Sequence, residues 1–281
     1  MKKLKKVDSK EVGLEMGLII FKYFFKKEHL HYGYWTEDLT TELSHLPQAQ
    51  DNYCHFLMSH IPANTKTILD VGSGVGRLAE KLINSGYQVD GILPSAVLTK
   101  HAREILGNKS HIFERKFEEL DTENRYDLII FAESFQYINM EKALQNSCKL
   151  LNPNGYILIS DFFKTDASGE SILGGGHHLV KFYEMITNYP FRKMKDIDLT
   201  AQTAPTLDVA NDLLMQVGLP IWNLINDYLS SNYPYLSKFL HWKYQKKIAK
   251  INRIYFSGKL NSQNFAVFKT YRLMLFQKVK A

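Results

Sequence analysis

Three glycines and an aspartate stand close together in the first third of the 281-residue chain. Residues 68–79 read Ile-Leu-Asp-Val-Gly-Ser-Gly-Val-Gly-Arg-Leu-Ala, so Asp70 is followed at every second position by Gly72, Gly74 and Gly76. A glycine turn between an apolar run and a helix lets the backbone bend sharply, approach a ligand closely and present free helix N–H groups to it. The pattern therefore predicts a binding site for a nucleotide-like cofactor.

The spacing of the glycines distinguishes two cofactor classes. The fingerprint of NAD-binding proteins is G-x-G-x-x-G, and Arg77 stands where its third glycine would be needed. NAD is therefore disfavoured. The observed spacing instead resembles motif I of class I S-adenosylmethionine-dependent methyltransferases. This resemblance implies that S-adenosyl-L-methionine is the cofactor, that the glycine turn with Ser73 cradles its methionyl part, and that Asp70 orders the loop and the amino group.

Residues 86–95 look like the second strand of this family and the turn after it. The family usually places an acidic residue there to hold the ribose hydroxyls, and Leu93 occupies that position, followed by Pro94 and Ser95. Asp90 is an alternative ribose ligand, although it would lie inside the strand. Family branches whose turn reads Gly-Val-Thr-Leu-Ser also lack the acid, so the resemblance still implies cofactor binding at this turn.

Two further segments follow in the order of the family. Residues 116–120 look like the segment that clamps the adenine with main chain and an apolar side chain, which makes Phe117 and Glu118 candidates. The predicted fourth strand leads into Ala132 and Glu133, which the resemblance also places beside the cofactor. The order and spacing of all these segments make a chance resemblance improbable.

The sequence His-Tyr-Gly-Tyr-Trp at residues 31–35 resembles an element of natural-product methyltransferases, such as the rebeccamycin sugar O-methyltransferase and relatives acting on sterols and tocopherols. In those enzymes the element closes over the cofactor. The resemblance therefore implies cofactor contacts for Tyr32, Gly33, Tyr34 and Trp35. Ordinary core packing is the alternative explanation of this aromatic cluster.

Catalytic candidates also follow from the resemblance. The sugar methyltransferases have two histidines after the fourth strand and an aspartate at the end of the fifth strand. This chain has Gln136 and Tyr137 in place of the two histidines, and it keeps the aspartate as Asp161. His177 and His178 are a second source of a general base, or else two solvated residues that open a helix. Methyl transfer from a sulfonium is an in-line displacement, so the protein must chiefly align donor and acceptor and exclude water.

The elements that would position these residues are short apolar runs alternating with amphipathic segments, which is typical of a parallel sheet covered by helices. The predicted strands are residues 67–71, 88–93, 111–114, 126–131, 156–162, 194–199 and 265–277. The fold class is thus α/β, a Rossmann-like seven-stranded class I methyltransferase sheet with helices on both faces. We expect an N-terminal helical cap (1–60) with a leading helix at 11–30, a cofactor-binding core (61–200), a helical lid insertion (201–262) and a final strand (263–281).

The insertion has two apolar stripes at helical spacing, one from Ile221 to Leu229 and one from Leu236 to Tyr255. Such stripes usually form core, and an insertion before the last strand also lies near the carboxyl ends of the other strands, where ligands bind. We therefore interpret it as a lid. Its aromatic residues would form an apolar enclosure, which favours a small hydrophobic or aromatic methyl acceptor.

Charge is distributed unevenly along the chain. The net charge is +6, and no Asp or Glu follows Asp227, whereas eleven Lys or Arg residues do. Such a basic region could contact an anionic membrane surface, an acidic acceptor or nucleic acid, or it could simply be solvated. The two cysteines, Cys54 and Cys148, lack metal-ligand spacing, so we expect no metal site, and the lysines at the N-terminus precede no signal-peptide core, which favours a cytoplasmic protein.

The predicted function is S-adenosylmethionine-dependent O-, C- or N-methylation of a small molecule. A lipid-modifying methyltransferase at a membrane surface and a non-catalytic cofactor-binding protein are the alternatives. Nucleic acid is disfavoured as a partner because no Asn-Pro-Pro-Tyr-like element follows the fourth strand. The sequence leaves the oligomeric state open.

Overall fold

The computed structural model describes residues 19, 22, 23, 31–169 and 171–280. They contain a seven-stranded sheet in the order β3-β2-β1-β4-β5-β7-β6. The strands are β1 Thr67–Val71, β2 Gln88–Ile92, β3 Ile112–Phe113, β4 Tyr126–Ala132, β5 Leu151–Lys164, β6 Phe191–Asp198 and β7 Lys269–Lys278. Strands β1 to β5 are parallel to one another, and β7 is antiparallel to both β5 and β6. The predicted fold class is confirmed.

Helices cover both faces of the sheet, which explains why its central strands are almost wholly apolar. The helices are α1 Leu46–Met58, α2 Arg77–Asn84, α3 Ala96–Leu106, α4 Met140–Leu150, α5 Leu179–Ile186, α6 Thr200–Thr203, α7 Pro205–Leu213, α8 Leu219–Asn232, α9 Pro234–Tyr255 and α10 Ser262–Phe268. Residues of α1, α2, α3, α7 and α10 pack in one core cluster, and residues of α4 and α5 pack in the other.

Several predicted strand boundaries differ from those in the structure. The last strand begins at Lys269, because residues 265–268 complete helix α10 instead. The side chain of Asn261 caps this helix by accepting a hydrogen bond from the Asn264 N–H at 2.8 Å. Strand β5 is longer than predicted at both ends, since Leu151 already pairs with Tyr126. The leading helix predicted at 11–30 lies outside the described residues apart from residues 19, 22 and 23.

The ends of the insertion are fixed at one edge of the sheet. The N–H of Leu199, directly after β6, donates to the carbonyl of Tyr271 in β7 at 2.7 Å. Arg272 of β7 forms ion pairs with Asp196 and Asp198 of β6. The insertion therefore starts at the end of β6 and returns to the sheet at the start of the neighbouring strand β7.

The apolar stripes in the outer half of the insertion do not form core, although such stripes usually do. Among the residues of α8 and α9, all of which the structure describes, Ser237 alone is buried. The predicted apolar enclosure is also wrong, because most of its aromatic side chains face solvent. They are Tyr228, Tyr233, Tyr235, Phe239, Trp242 and Tyr255. Within the described part of the chain, no helix is long and apolar enough to span a bilayer.

Candidate functional site

The glycine turn follows the end of the central strand β1 and precedes α2. Gly72, Gly74 and Gly76 have φ values of +78°, +55° and +88°, a region that side chains disfavour. A Cβ at Gly72 would collide with the side chain of Ser134, which follows β4. The chain thus needs glycine here both for its backbone conformation and for the close approach of the two loops.

Two buried polar atoms at this turn have no hydrogen-bond partner among the described residues. Asp70 is 1% exposed and Ser73 is 8% exposed, and among the described residues nothing forms a hydrogen bond with Asp70 Oδ2 or Ser73 Oγ. An unsatisfied buried group of this kind costs about 1–3 kcal/mol, so a polar ligand that forms hydrogen bonds with both atoms would stabilise the turn. Burial raises the pKa of Asp70 to about 7, and a cationic amino group placed beside it would favour the ionised carboxylate.

The turn also leaves space for that ligand. A Cβ built on Gly74 meets no atom of the described residues within 4 Å. An unpartnered carboxylate, an unpartnered hydroxyl and an open glycine edge are what the methionyl amino acid of S-adenosyl-L-methionine requires. The residues of the turn fit the predicted cofactor.

The predicted ribose region offers little polar chemistry. Leu93 is buried in the apolar core, Pro94 is exposed, and Ser95 Oγ caps helix α3 by accepting from the Leu98 N–H at 3.4 Å. The alternative ligand Asp90 accepts from the Tyr126 hydroxyl at 2.7 Å, at the start of β4. The Asp90 carboxylate is therefore directed away from the glycine turn, which follows the opposite ends of these strands.

The predicted adenine segment is held from the side of α4. Phe117 is buried with its ring edge-on to Phe131 at 5.3 Å, and its carbonyl accepts from Asn146 Nδ2 at 2.8 Å. Glu118 Oε1 accepts from the Asn139 N–H at 3.1 Å. These contacts fix the segment, while the adenine contacts of Phe117 and Glu118 stay predictions.

The aromatic segment 31–35 bridges the end of β4 and the first helices of the insertion. The Tyr32 N–H donates to Glu133 Oε1 at 2.8 Å. The Gly33 N–H and Trp35 Nε1 both donate to Thr206 Oγ1 of α7, at 2.9 and 3.0 Å. Trp35 is also buried, so the segment packs as core and at the same time lies over the loop that follows β4.

The Tyr34 ring lies on the other side of this segment, stacked on Phe56 of α1 at 4.6 Å. The Tyr34 N–H donates to the Ala49 carbonyl at 2.7 Å. A Cβ on Gly33 would meet the Cβ of Ala49 at 2.5 Å, so the segment approaches α1 too closely for any other residue. Tyr34 thus anchors the segment to α1.

A chain of buried hydroxyls ends at Glu133. Tyr271 OH lies 2.8 Å from Glu133 Oε1 and 3.0 Å from Tyr53 OH, which in turn lies 2.8 Å from Ser160 Oγ. Each hydroxyl has one proton, so when Tyr271 donates to Glu133, Tyr53 donates to Tyr271 and Ser160 donates to Tyr53. Burial raises the pKa of Glu133 to about 8. The neighbouring Ala132 is half-buried at the end of β4.

Asp161 is the best-connected of the catalytic candidates. It is fully buried; its Oδ2 accepts from the Gln136 N–H at 2.9 Å, and its Oδ1 accepts from Gln136 Nε2 at 3.1 Å and the Phe162 N–H at 2.8 Å. Burial raises its pKa to about 7. Asp161 therefore holds the turn after β4 in place, and this turn leaves the Tyr137 side chain 76% exposed.

The two histidines have different environments. His177 Nε2 lies 3.1 Å from the Phe135 carbonyl and 3.0 Å from the Ile138 carbonyl, so this nitrogen carries a proton and the neutral ring has its lone pair on Nδ1. His178 is exposed and precedes α5. His177 thus ties the loop before α5 to the turn that Asp161 also holds.

Sequence reasoning missed four residues of this region, Tyr53, Ser160, Lys269 and Tyr271. Lys269 is buried, its Nζ donates to the Gly175 carbonyl at 2.6 Å and lies 5.3 Å from the centre of the Phe162 ring. Burial lowers the pKa of Lys269 to about 8. These residues come from distant parts of the chain, and no local pattern marks them as neighbours.

Comparison with known proteins agrees with this geometry. A family model described as "Methyltransferase domain" matches residues 45–259, more than half of the chain. The ubiquinone biosynthesis O-methyltransferase of Rickettsia conorii is 33% identical over 143 residues, which cover 43% of this chain and only 49% of that enzyme.

Two solved structures share the fold. Geranyl diphosphate C-methyltransferase from Streptomyces coelicolor, in complex with Mg²⁺, geranyl-S-thiolodiphosphate and S-adenosyl-L-homocysteine, has a TM-score of 0.65 at 14% identity, covering 93% of this chain and 92% of that one. The 4+2 cyclase SpnF has a TM-score of 0.68 at 16% identity, covering 97% and 95%. The fold alone therefore serves more than one reaction.

The family match, the relative and the unpartnered atoms of the glycine turn lead to one assignment. The matching model is described as a methyltransferase domain, and its span includes the glycine turn and the loop after β4. The chain therefore belongs to the class I methyltransferases that use S-adenosyl-L-methionine as methyl donor.

Proposed function

We propose that this protein is an enzyme that transfers a methyl group from S-adenosyl-L-methionine to a small hydrophobic or aromatic acceptor. The observation that carries the proposal is the pair of unpartnered buried atoms, Asp70 Oδ2 and Ser73 Oγ, beside the open edge of Gly74. The names of similar proteins, which refer to ubiquinone biosynthesis and geranyl diphosphate, support a small organic acceptor. They include both an O- and a C-methyltransferase, so the methylated atom is left open.

When bound, the cofactor supplies an electrophilic methyl group, and the chain supplies position and a dry environment. Asp70 and Ser73 hold the methionyl end. The segment 31–35, tied to Glu133 on one side and Thr206 on the other, excludes water from the crevice. Asp161 orients the turn that contains Gln136, so its role is positioning.

Two groups are suited to take a proton from the acceptor. Glu133 has a pKa near 8, so its ionised carboxylate can take up a proton from the acceptor and hold it. His177 would have to use Nδ1, because its Nε2 proton is already donated to two carbonyls. Glu133 is suited to this role because a base with a pKa near the working pH is the most effective.

The test is an incubation of the full chain with S-adenosyl-L-methionine and a panel of phenols, quinols, isoprenoid diphosphates and apolar amines. We expect S-adenosyl-L-homocysteine to form in the presence of at least one of the apolar or aromatic acceptors. Mass spectrometry and NMR of the product identify the methylated atom. Tight cofactor binding with no product from any acceptor class, or methylation of highly polar metabolites alone, would contradict the proposal.

A further inference from the structure

An arm formed by α8 and α9, residues 219–255, exposes apolar surface that nothing in the described chain covers. Ile221, Leu224, Ile225 and Tyr228 recur at i, i+3, i+4 and i+7, the spacing of one helix face, and each is half or more exposed. A monomeric soluble protein rarely leaves so continuous an apolar face in water. Among residues 31–169 and 171–280, nothing covers this face of the arm.

Aromatic residues concentrate where α8 meets α9, a region we call the aromatic tip. Its members are Tyr228, Tyr233, Tyr235, Phe239 and Trp242. Tyr235 is 88% exposed and Trp242 is 75% exposed. Tyr and Trp combine an apolar ring with one polar atom, and this combination is the one enriched where lipid headgroups meet the hydrocarbon region.

A cluster of lysines lies directly behind the tip on α9, and we call it the lysine collar. It consists of Lys243, Lys246, Lys247 and Lys250. Lys246 continues the helical stripe of Phe239 and Trp242, at i+7 and i+4 from them. One face of α9 thus changes along its length from aromatic to basic.

The lysines and the aromatic rings also touch. Lys243 Nζ lies 5.5 Å from the centre of the Phe239 ring and 5.6 Å from that of Tyr244, and Lys247 Nζ lies 5.6 Å from Tyr244. In this arrangement the ammonium groups lie over the faces of the rings, so positive charge and apolar surface are adjacent on the same helix. No acidic residue follows Asp227 in the sequence, so no carboxylate of α9 neutralises the collar.

We propose that the arm docks on a lipid bilayer that contains anionic phospholipids. The aromatic tip and the α8 stripe enter the interface, and the collar contacts the phosphate and anionic headgroups. Charge favours this partner over a second copy of the chain, because a symmetric contact would bring two collars together. It also favours lipid over nucleic acid, which has no apolar phase for the isoleucines and leucine of the stripe.

The docking is independent of the proposed methyl transfer, because it needs neither cofactor nor acceptor. The test is flotation of the full chain with vesicles of phosphatidylcholine alone or mixed with phosphatidylglycerol. We expect binding to the mixed vesicles that weakens as NaCl rises from about 0.05 M to about 0.5 M. We also expect the fluorescence of Trp242 to shift to shorter wavelength on binding, in a Trp222→Phe background that leaves only the buried Trp35 besides it.

Three variants separate the parts of the arm. Replacing all four collar lysines by Gln should weaken binding to mixed vesicles at least about tenfold. Trp242→Ser with Phe239→Ser should leave a weak, salt-sensitive association and remove insertion. The matched control replaces four exposed lysines elsewhere by Gln, Lys100, Lys109, Lys142 and Lys149, which removes the same charge and should leave binding within about twofold. None of the changed side chains is buried, so the fold should persist, and circular dichroism checks this.

Several outcomes would overturn the proposal. They are absence of binding to mixed vesicles, equal binding to phosphatidylcholine alone, and equal loss in the collar and control variants. Light scattering that shows a dimer disrupted by the Trp242 and Phe239 substitutions, without vesicle binding, would assign the face to a second copy. Tight binding of single-stranded RNA together with no vesicle binding would assign it to nucleic acid.

Discussion

The glycine turn at residues 70–76, which forms the proposed cofactor crevice, buries polar atoms, whereas the arm exposes apolar side chains. At the crevice, polar atoms such as Asp70 Oδ2 and Ser73 Oγ are buried without partners, whereas on the arm apolar side chains such as Leu224 and Trp242 are exposed. Each arrangement is unfavourable for the chain by itself. The described residues satisfy neither arrangement, and we infer a small polar ligand for the first and an apolar phase for the second.

The difference shows why burial must be known before a sequence pattern is interpreted. The glycine turn constrains its own backbone, so its conformation follows from local sequence. The helical spacing in α8 defines an apolar face but does not say what covers that face. The five predictions below challenge this contrast, beginning with the largest expected effect.

The substitution Gly74→Asp should have the largest effect. It adds a carboxylate at the open edge of the turn, where the methionyl carboxylate is expected, and we expect calorimetric cofactor affinity to fall on the order of 100-fold or more. The matched control is Gly107→Asp, since Gly107 also has φ +55° and free space around its Cβ but lies at the end of α3. Equal losses in both variants would show that backbone strain, not the crevice, is responsible.

The substitution Asp161→Asn should reduce both stability and turnover. An amide nitrogen would face N–H groups that now donate to a carboxylate, at an expected cost of about 1–3 kcal/mol. We expect kcat to fall without displacement of the pH profile, because Asp161 positions the turn at Gln136. Asp127→Asn is the control: Asp127 also accepts two backbone N–H bonds, but at the start of β1, and its loss should lower the melting temperature and leave kcat unchanged. A displaced pH profile for Asp161→Asn would assign it a direct proton-transfer role.

Stability should fall as the pH rises across the neutral range. Burial raises the pKa of Glu133 from an ordinary 4.5 to about 8, so the folded state keeps a proton that the unfolded chain releases. The stabilisation is complete below about pH 4.5 and is lost as the pH approaches 8. Asp70 and Asp161 act in the same direction, because burial raises the pKa of each to about 7. Urea unfolding at several pH values measures the slope.

The substitution Glu133→Gln should make that slope shallower between pH 4.5 and 8, because it removes one of the three titrating carboxyls. Glu119→Gln, at an exposed position, should leave the slope as it is. An unchanged slope in Glu133→Gln would show that the carboxyl of Glu133 titrates at its ordinary value.

The smallest effect is expected from removing the arm. The ends of the arm are adjacent, since a Cβ on Gly218 would lie 3.4 Å from Phe256 Cε1. Replacing residues 219–255 by a short Gly-Ser linker should change the melting temperature by only a few degrees, because almost no side chain of the arm is buried. Cofactor binding should be retained. Global unfolding of the shortened chain would show that the arm belongs to the core.

Sequence predicted the parts of the fold that depend on local pattern. The apolar runs of β1, β2 and β4 and the glycines after β1 are recognisable because backbone conformation and side-chain alternation leave a local signal. The number of strands in the sheet follows from the family resemblance. The start of β7 was misplaced, because Phe265 and Phe268 favour a strand in isolation whereas the Asn261 cap begins a helix there.

The candidate site was predictable only in part. Asp70 and Ser73 belong to a contiguous motif, and the structure adds that both are unpartnered. The contact between Tyr53, Tyr271 and Ser160 joins residues up to 218 positions apart, which no local spacing can indicate. The same limit applies to Lys269, whose burial depends on the loop at Gly175.

The placement of β7 between β5 and β6 has an evolutionary consequence. Everything between Asp198 and Lys269 begins and ends on adjacent strands, so the span between its two attachment points is set by the sheet and not by the length of the intervening chain. The outer helices can therefore be exchanged, resurfaced or lost while the reaction centre keeps its dimensions. Related proteins with this fold could therefore differ in where they bind in the cell while they keep the same catalytic site.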